Sequence, residues 1–134
     1  QFPTDILNKK FDGELALSKL QQHFAEENIG NALMEKSVFV GMGDLIRTEA
    51  LYRAKMHPES LVNNIPAKKL IFLIISAVNF ADELVEHFKN DEVNSKALIF
   101  EKKMCPKDKS EIQIAISTET NRKIYICPKC QKLF

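Results

Sequence analysis

The sequence predicts a mainly α-helical fold that ends in a small β-hairpin. Over residues 14–89, apolar side chains recur at helical spacing, and glycine or proline separates the periodic segments. Over 112–116 and 123–126, the pattern changes to the apolar alternation of strands. Apolar residues make up 45% of the 134 residues, which is typical of a chain that folds around a core. We therefore predict a helical domain over 1–92 and a hairpin domain over 93–134.

Breaks in the apolar pattern predict four helices after an extended lead-in over 1–12. A residue that precedes proline disfavours the helical region, so Pro58 ends one helix, and Pro66 suits the first turn of the next. The apolar arc of the last helix is wide at its start, so we expect that helix to pack on two sides. The predicted helices cover residues 14–27, 31–37, 45–55 and 66–89.

Charge and hydropathy exclude several classes of protein. The longest strictly apolar run, Leu70 to Ile75, is far shorter than the roughly 20 residues of a membrane helix, so no membrane partner is expected. Residues 1–95 carry 10 Lys/Arg against 14 Asp/Glu, whereas 96–134 carry 9 against 4. Only the C-terminal part is therefore expected to attract an anion. Because the chain begins with Gln1 rather than Met, we expect a processed product or a fragment.

The three cysteines fall near the C-terminus, at Cys105, Cys127 and Cys130. An odd number does not close a disulfide framework, so we expect a reduced, cytoplasmic protein. A Cys-Pro-Lys-Asp segment precedes the hairpin and a Cys-Pro-Lys-Cys segment follows it. Paired knuckles of this kind hold one tetrahedral zinc ion at the base of a hairpin.

Asp108 stands where a second cysteine of the first knuckle would be expected. Aspartate oxygen can bind zinc, although it is a harder ligand than thiolate. We therefore predict one structural zinc ion held by four ligands, and the alternative is a decayed ribbon without metal. The predicted ligands are Cys105, Asp108, Cys127 and Cys130.

Two further features have both a structural and a ligand-binding interpretation. The segment Gly41-Met42-Gly43-Asp44 opens the third helix, and free amides at a helix N-terminus bind anions such as phosphate. The alternative is a tight connection between helices, with Asp44 as the N-cap. Arg122 lies in the predicted hairpin, and Lys123, Lys129 and Lys132 surround it to form a basic run beside the knuckles. Such a run is either a solvated surface or a grip on a nucleic acid backbone.

Together these segments resemble the formamidopyrimidine-DNA glycosylase and endonuclease VIII family over roughly residues 3–132. The resemblance implies a helix–two-turn–helix domain followed by a β-hairpin zinc finger. The finger-like part closes on Cys127-Pro128-Lys129-Cys130-Gln131-Lys132. The segments that resemble the helix–two-turn–helix domain are 28–36, 40–44 and 49–54, followed by His57-Pro58.

The resemblance implies a role in base excision repair. A member of this family removes an oxidised base and then cleaves the strand at the abasic site, so it implies double-stranded DNA with a damaged base as partner. The segment Gly43 to Glu49 is nearer to the endonuclease VIII branch, which implies oxidised pyrimidines. The implied DNA contacts are Gly41, Gly43, Asp44 and Arg122, with Lys123 and Lys129 secondary.

Two departures from the family pattern bear on activity. The residue after Gly-x-Gly is normally an asparagine that contacts phosphate, and here it is Asp44. The family nucleophile is an N-terminal proline followed by glutamate, whereas Pro3 follows Phe2. We therefore assign no catalytic residue and expect a monomer that works with a catalytic N-terminal domain of the same protein. The alternatives are a non-catalytic DNA- or RNA-binding zinc module and a degenerate member kept for protein contacts.

Overall fold

The computed structural model describes residues 2–88, 97–116 and 122–134. Within them, four helices precede a two-stranded antiparallel sheet, and a short 3-10 turn at Val62–Asn64 separates the third and fourth helices. No helix among these residues is both long and apolar enough to cross a membrane. The elements are α1 (Gly13–His23), α2 (Ile29–Ala32), α3 (Asp44–Arg53), α4 (Ala67–Phe88), β1 (Gln113–Ile116) and β2 (Lys123–Ile126).

The second helix differs from its prediction, because it is a single turn over Ile29–Ala32 rather than 31–37. The Asn28 side chain caps it by accepting from the Asn31 amide. Gly30 donates its amide to Pro58 O at 2.8 Å, and a Cβ at Gly30 would lie 2.9 Å from Pro58 Cβ. The backbones therefore approach too closely at this point for any residue but glycine.

The long helix α4 packs mainly on one side, so the prediction of two packed sides is wrong. Its buried stripe faces α1 and α3 in the main core. Ile71, Phe72 and Ile75 lie off that stripe and remain 42%, 53% and 50% exposed. The buried residues of the stripe are Leu70, Leu73, Ile74, Ala77, Phe80, Ala81 and Leu84.

The predicted hairpin is present, in a register that pairs Gln113 with Ile126 and Ile116 with Lys123. Its β2 strand provides the packing surface, because Ile124 and Ile126 enter the main core and Tyr125 enters a second cluster beside the cysteines. The hairpin therefore packs more extensively than its short length indicates. The expected turn at 118–121 lies outside the described residues, as does the predicted domain boundary after residue 92.

The C-terminal segment returns to the helical part through backbone pairing. Lys132 donates its amide to Lys55 O, and His57 donates to Lys132 O, each at 2.8 Å. The buried Gln131 side chain joins both parts, because Nε2 donates to Met56 O at 2.9 Å while Oε1 accepts from the Cys127 amide at 2.8 Å. These bonds fix the second knuckle against the end of α3.

Candidate phosphate-binding cleft and metal centre

Asp44 is the first residue of α3, and two arginines share its carboxylate. Oδ1 accepts from Arg122 Nη1 at 3.2 Å and from Arg47 Nη2 at 3.3 Å. Gly43 is the N-cap, and no side chain caps this helix end, so the prediction that Asp44 is the cap is wrong. The carboxylate instead connects the start of α3 to the hairpin that carries Arg122.

Arg47 is a buried cation that the sequence analysis did not single out. Its Nη1 donates to Gly30 O at 3.2 Å, and its Nη2 lies 3.5 Å from Lys123 O. Burial lowers the pKa of the Arg47 guanidinium, whereas the neighbouring Asp44 carboxylate raises it. Arginine stays charged through such shifts, so the guanidinium holds α2, α3 and β2 together as a cation.

The two glycines of the turn have different structural roles. Gly41 has φ +86°, and a Cβ there would lie 3.1 Å from Ile6 Cγ2, so the turn itself requires glycine. Gly43 has φ −117°, which any residue adopts, and a Cβ there would meet nothing within 4 Å. The space beside the N-terminus of α3 is therefore open.

A cleft of about 350 Å³ runs between the helical part and the hairpin. Arg47 and Arg122 contribute the cations of its lining, and Asn28 and Asn31 contribute amides. Lys123 lies next to this cleft in a depression that it shares with Asp44. Lys129 is not part of this group, because it lines a separate depression beside Pro128 in the second knuckle.

The four candidate metal ligands converge at the base of the hairpin. One ligand atom from each lies within 4.8 Å of the others, and the three cysteines are not in disulfides. Cys105 Sγ lies 3.7 Å from Cys130 Sγ. Asp108 Oδ2 lies 3.7 Å from Cys127 Sγ and 3.5 Å from Cys130 Sγ.

These separations fit one tetrahedral zinc ion. Zinc bound at about 2.3 Å to sulfur and about 2.1 Å to oxygen places sulfurs about 3.8 Å apart, and sulfur and oxygen about 3.6 Å apart. The Ser110 amide donates to Asp108 Oδ1 at 2.9 Å, and this bond chiefly holds the pKa of the Asp108 carboxyl at about 2. The carboxylate is therefore ionised at neutral pH, as a metal ligand must be.

A tyrosine on α3 contacts the ligand cluster from behind. The Tyr52 hydroxyl lies 3.1 Å from Cys105 Sγ, and the Tyr52 side chain is buried. Burial chiefly raises the pKa of this hydroxyl, with a further contribution from its bond to Cys105. The hydroxyl therefore stays protonated and can donate a hydrogen bond to a thiolate.

Glu49 is another residue of α3 whose role the sequence did not predict. Its carboxylate is fully buried and accepts from three consecutive backbone amides, those of Leu98, Ile99 and Phe100, at 2.7, 2.9 and 2.9 Å. Three amide donors satisfy a buried carboxylate without a cation. These three hydrogen bonds fix the backbone of residues 98–100 against the middle of α3.

Comparison with protein families and curated proteins gives consistent matches. The model described as the formamidopyrimidine-DNA glycosylase H2TH domain matches residues 3–97. Endonuclease 8-like 2 of Mus musculus is 31% identical over 130 residues, which cover 95% of this chain and 38% of that protein. Formamidopyrimidine-DNA glycosylase of Lactobacillus helveticus is 28% identical over 144 residues, covering 95% and 50%. The chain thus spans half or less of these relatives' length.

Solved structures share the fold over almost the whole chain. The Lactococcus lactis formamidopyrimidine-DNA glycosylase bound non-covalently to DNA with an AP site aligns with a TM-score of 0.83 at 23% identity. The alignment covers 96% of this chain and 49% of that one. A viral DNA glycosylase aligns with a TM-score of 0.82 at 28% identity, covering 96% and 50%.

Proposed function

Because this chain belongs to the formamidopyrimidine-DNA glycosylase and endonuclease VIII family, we propose that it is the C-terminal DNA-binding portion of a base-excision-repair glycosylase and AP lyase. The parent enzyme is of the endonuclease VIII type and acts on oxidised bases. The observation that carries this proposal is the meeting of Arg122 with Asp44 at the open N-terminus of α3. One phosphate placed there is within reach of both the guanidinium and the helix amides.

Asp44 has two opposing effects on such a phosphate. Its carboxylate holds the Arg122 side chain beside α3, although that side chain is 47% exposed. Arginine has five N–H donors, so a bond to Asp44 leaves others for phosphate. The same carboxylate adds a negative charge beside the DNA backbone, which weakens binding relative to asparagine. We therefore infer a pre-positioned but weakened grip.

The test measures fluorescence anisotropy of a labelled DNA duplex with an abasic-site analogue. Arg122→Ala removes a charge-assisted contact worth roughly 2 kcal/mol, so affinity should fall by more than tenfold. Lys10→Ala, an exposed lysine far along the chain from the cleft, is the matched control. An Arg122→Ala affinity equal to that of the control would remove the cleft from the DNA-binding site.

The same assay addresses the role of Asp44. Asp44→Asn should bind the duplex more tightly than the wild type, because the amide removes the repulsion and can still accept from Arg122. A weaker Asp44→Asn complex would mean that the carboxylate contributes by orienting Arg122 more than it costs by repulsion. Equal affinity for an RNA duplex would favour the alternative, a non-catalytic nucleic-acid-binding zinc module.

We also propose that the ligand cluster holds one structural zinc ion through Cys105, Asp108, Cys127 and Cys130. Four protein ligands fill a tetrahedral site, so the ion supplies folding energy and leaves no position for substrate. Native mass spectrometry with metal analysis should find one zinc per chain, with loss in Asp108→Ala and retention in the exposed control Asp82→Ala. Retention of zinc in Asp108→Ala would limit the ligands to the cysteines.

We also infer the partners, oligomeric state and location of the whole protein. The partners are double-stranded DNA with a damaged base and a catalytic N-terminal domain of the same protein. The protein is a monomer in the cytoplasm, associated with the nucleoid if it is bacterial. Lys123 and Lys129 add secondary backbone contacts, since both side chains are exposed on the hairpin part.

A further inference from the structure

A second basic surface lies at the far end of α3 from Asp44. We name it the lysine groove, and it encloses about 640 Å³. Asp44 and Arg53 are the two ends of the ten-residue helix α3, so roughly 15 Å of helix separates the groove from the phosphate-binding cleft. The groove is defined by a rim of Lys55, Lys68, Lys69 and Lys132, with Phe72 and Phe134 between them.

The lysines of this groove lack acidic partners within the described part of the chain. Among the residues that the structure describes, no aspartate or glutamate lines the groove, and none of their carboxylates lies within 4.0 Å of its four ammonium groups. Lys68 and Lys69 occupy the first turn of α4, which contains no acidic residue. Cations are unfavourable at that end of a helix, so helix stability does not account for this pair.

The groove also exposes apolar surface between its cations. Phe72 is 53% exposed, which is unusual for a phenylalanine in a helix that has a buried stripe. Lys132 Nζ lies 5.0 Å from the centre of the Phe134 ring, so one face of that ring is covered by a cation. A ligand that fills the groove therefore needs negative charge around one large apolar group.

These features distinguish between two classes of acidic macromolecule. A single nucleic acid strand binds where successive aromatic faces are open for stacking. Here the Phe134 face is occupied by Lys132, which leaves Phe72 as the open aromatic surface of the groove. An acidic peptide with one bulky apolar side chain matches both the single apolar surface and the ring of lysines.

We propose that the lysine groove is a docking site for an acidic peptide segment of a partner protein, with one large apolar side chain seated against Phe72. The site is independent of the proposed DNA contact, because the two surfaces share no lining residue. The peptide can therefore bind while the cleft holds DNA.

The test uses a labelled peptide of aspartate and glutamate around one central leucine, followed by anisotropy. Lys68→Glu/Lys69→Glu should weaken binding by more than about tenfold, because two attractions become repulsions. Lys9→Glu/Lys10→Glu is the matched control, since it reverses another adjacent pair of exposed lysines and gives the same net charge. Phe72→Ser, or serine in place of the peptide leucine, should weaken binding about fivefold or more.

Three results would overturn the proposal. Equal losses in both lysine-pair variants would show that only net charge matters. Unchanged binding of the serine peptide would remove the apolar contact. A Lys68→Glu/Lys69→Glu variant that loses the DNA duplex as strongly as Arg122→Ala would assign the groove to nucleic acid. Duplex binding that stays at the control level in this variant, with loss of the peptide, supports the peptide site and leaves the DNA proposal intact.

Discussion

At the scale of single residues, Gly41 and Gly43 of the turn before α3 have different roles: the first is needed for folding, and the second leaves room for a ligand. Gly41 adopts φ +86°, and a Cβ there would lie 3.1 Å from Ile6 Cγ2, so the backbone itself requires the lack of a side chain. Gly43 has an ordinary φ and open space around it, so neither backbone strain nor a close contact requires glycine there. An approaching phosphate needs that open space beside the amides of α3.

Alanine at each glycine should therefore have a different effect. Gly41→Ala should lower the free energy of unfolding by about 1–2 kcal/mol, because the left-handed region is strained for any residue with a Cβ. Gly43→Ala should cost less, about 0.5–1 kcal/mol, because alanine is a poorer N-cap residue than glycine, but it should also weaken duplex binding. Urea denaturation and anisotropy measure the two effects. Equal destabilisation in both variants would contradict the distinction.

Tyr52 provides a second residue-scale prediction. Its hydroxyl lies 3.1 Å from Cys105 Sγ and can donate a hydrogen bond to the thiolate of the proposed zinc site. Removal of such an outer hydrogen bond typically costs at least tenfold in metal affinity. Tyr52→Phe should therefore release zinc to a chromogenic chelator at about tenfold lower chelator concentration. Tyr125→Phe is the matched control, because Tyr125 lies in the same buried cluster and its hydroxyl has no hydrogen bond to described residues. Equal zinc retention in both variants would exclude the hydroxyl from this role.

At the scale of elements, α3 is the helix to which every part of the site attaches. Its start meets Arg122, its middle holds the backbone at 98–100 through Glu49, and its end contacts Cys105 through Tyr52. It packs on α4 and on β2 as well. Because α3 has partners on several sides, six of its ten residues are buried, although its sequence is not strongly apolar.

The sequence pattern predicted both strands and three of the four helices, but it misplaced α2 and did not predict these attachments. Periodicity located the elements, and the spacing of cysteines around two alternating runs located Asp108 in the ligand cluster. Arg47, Glu49 and Tyr52 look like ordinary polar residues of a helix. The partners of Glu49 and Tyr52 lie about fifty residues away, and a carboxylate that binds backbone amides leaves no charge pattern in the sequence.

Glu49→Gln tests the importance of this attachment. The glutamine Nε2 would face an amide donor where Glu49 Oε2 now accepts from Ile99 and Phe100. Because buried donors would be left unpaired, the free energy of unfolding should fall by roughly 2–4 kcal/mol in urea denaturation. Glu26→Gln, an exposed glutamate, should change it by less than about 0.5 kcal/mol. A Glu49→Gln protein as stable as this control would show that the carboxylate contributes no net stability.

At the scale of the whole molecule, α3 and β2 connect the candidate metal centre to the cleft. The candidate ligand Cys105 is hydrogen-bonded to Tyr52 near the end of α3, and Cys127, another candidate ligand, directly follows β2. Arg122 directly precedes β2 and meets Asp44 at the start of α3. The helix and the strand thus run side by side between the two sites, so the position of the metal ligands helps to fix the position of Arg122.

Metal removal should therefore displace Arg122 and weaken DNA binding, although none of the four candidate metal ligands lines the cleft. We expect chelation to lower both the melting temperature and the duplex affinity of the wild type. In Arg122→Ala, chelation should lower the melting temperature equally but reduce affinity much less, since the contact that depends on hairpin position is already gone. The four affinities form a cycle, and the salt dependence of each measures how many DNA phosphates the protein neutralises in that state. Equal reductions of affinity on chelation in both proteins would mean that the metal stabilises the hairpin without positioning Arg122.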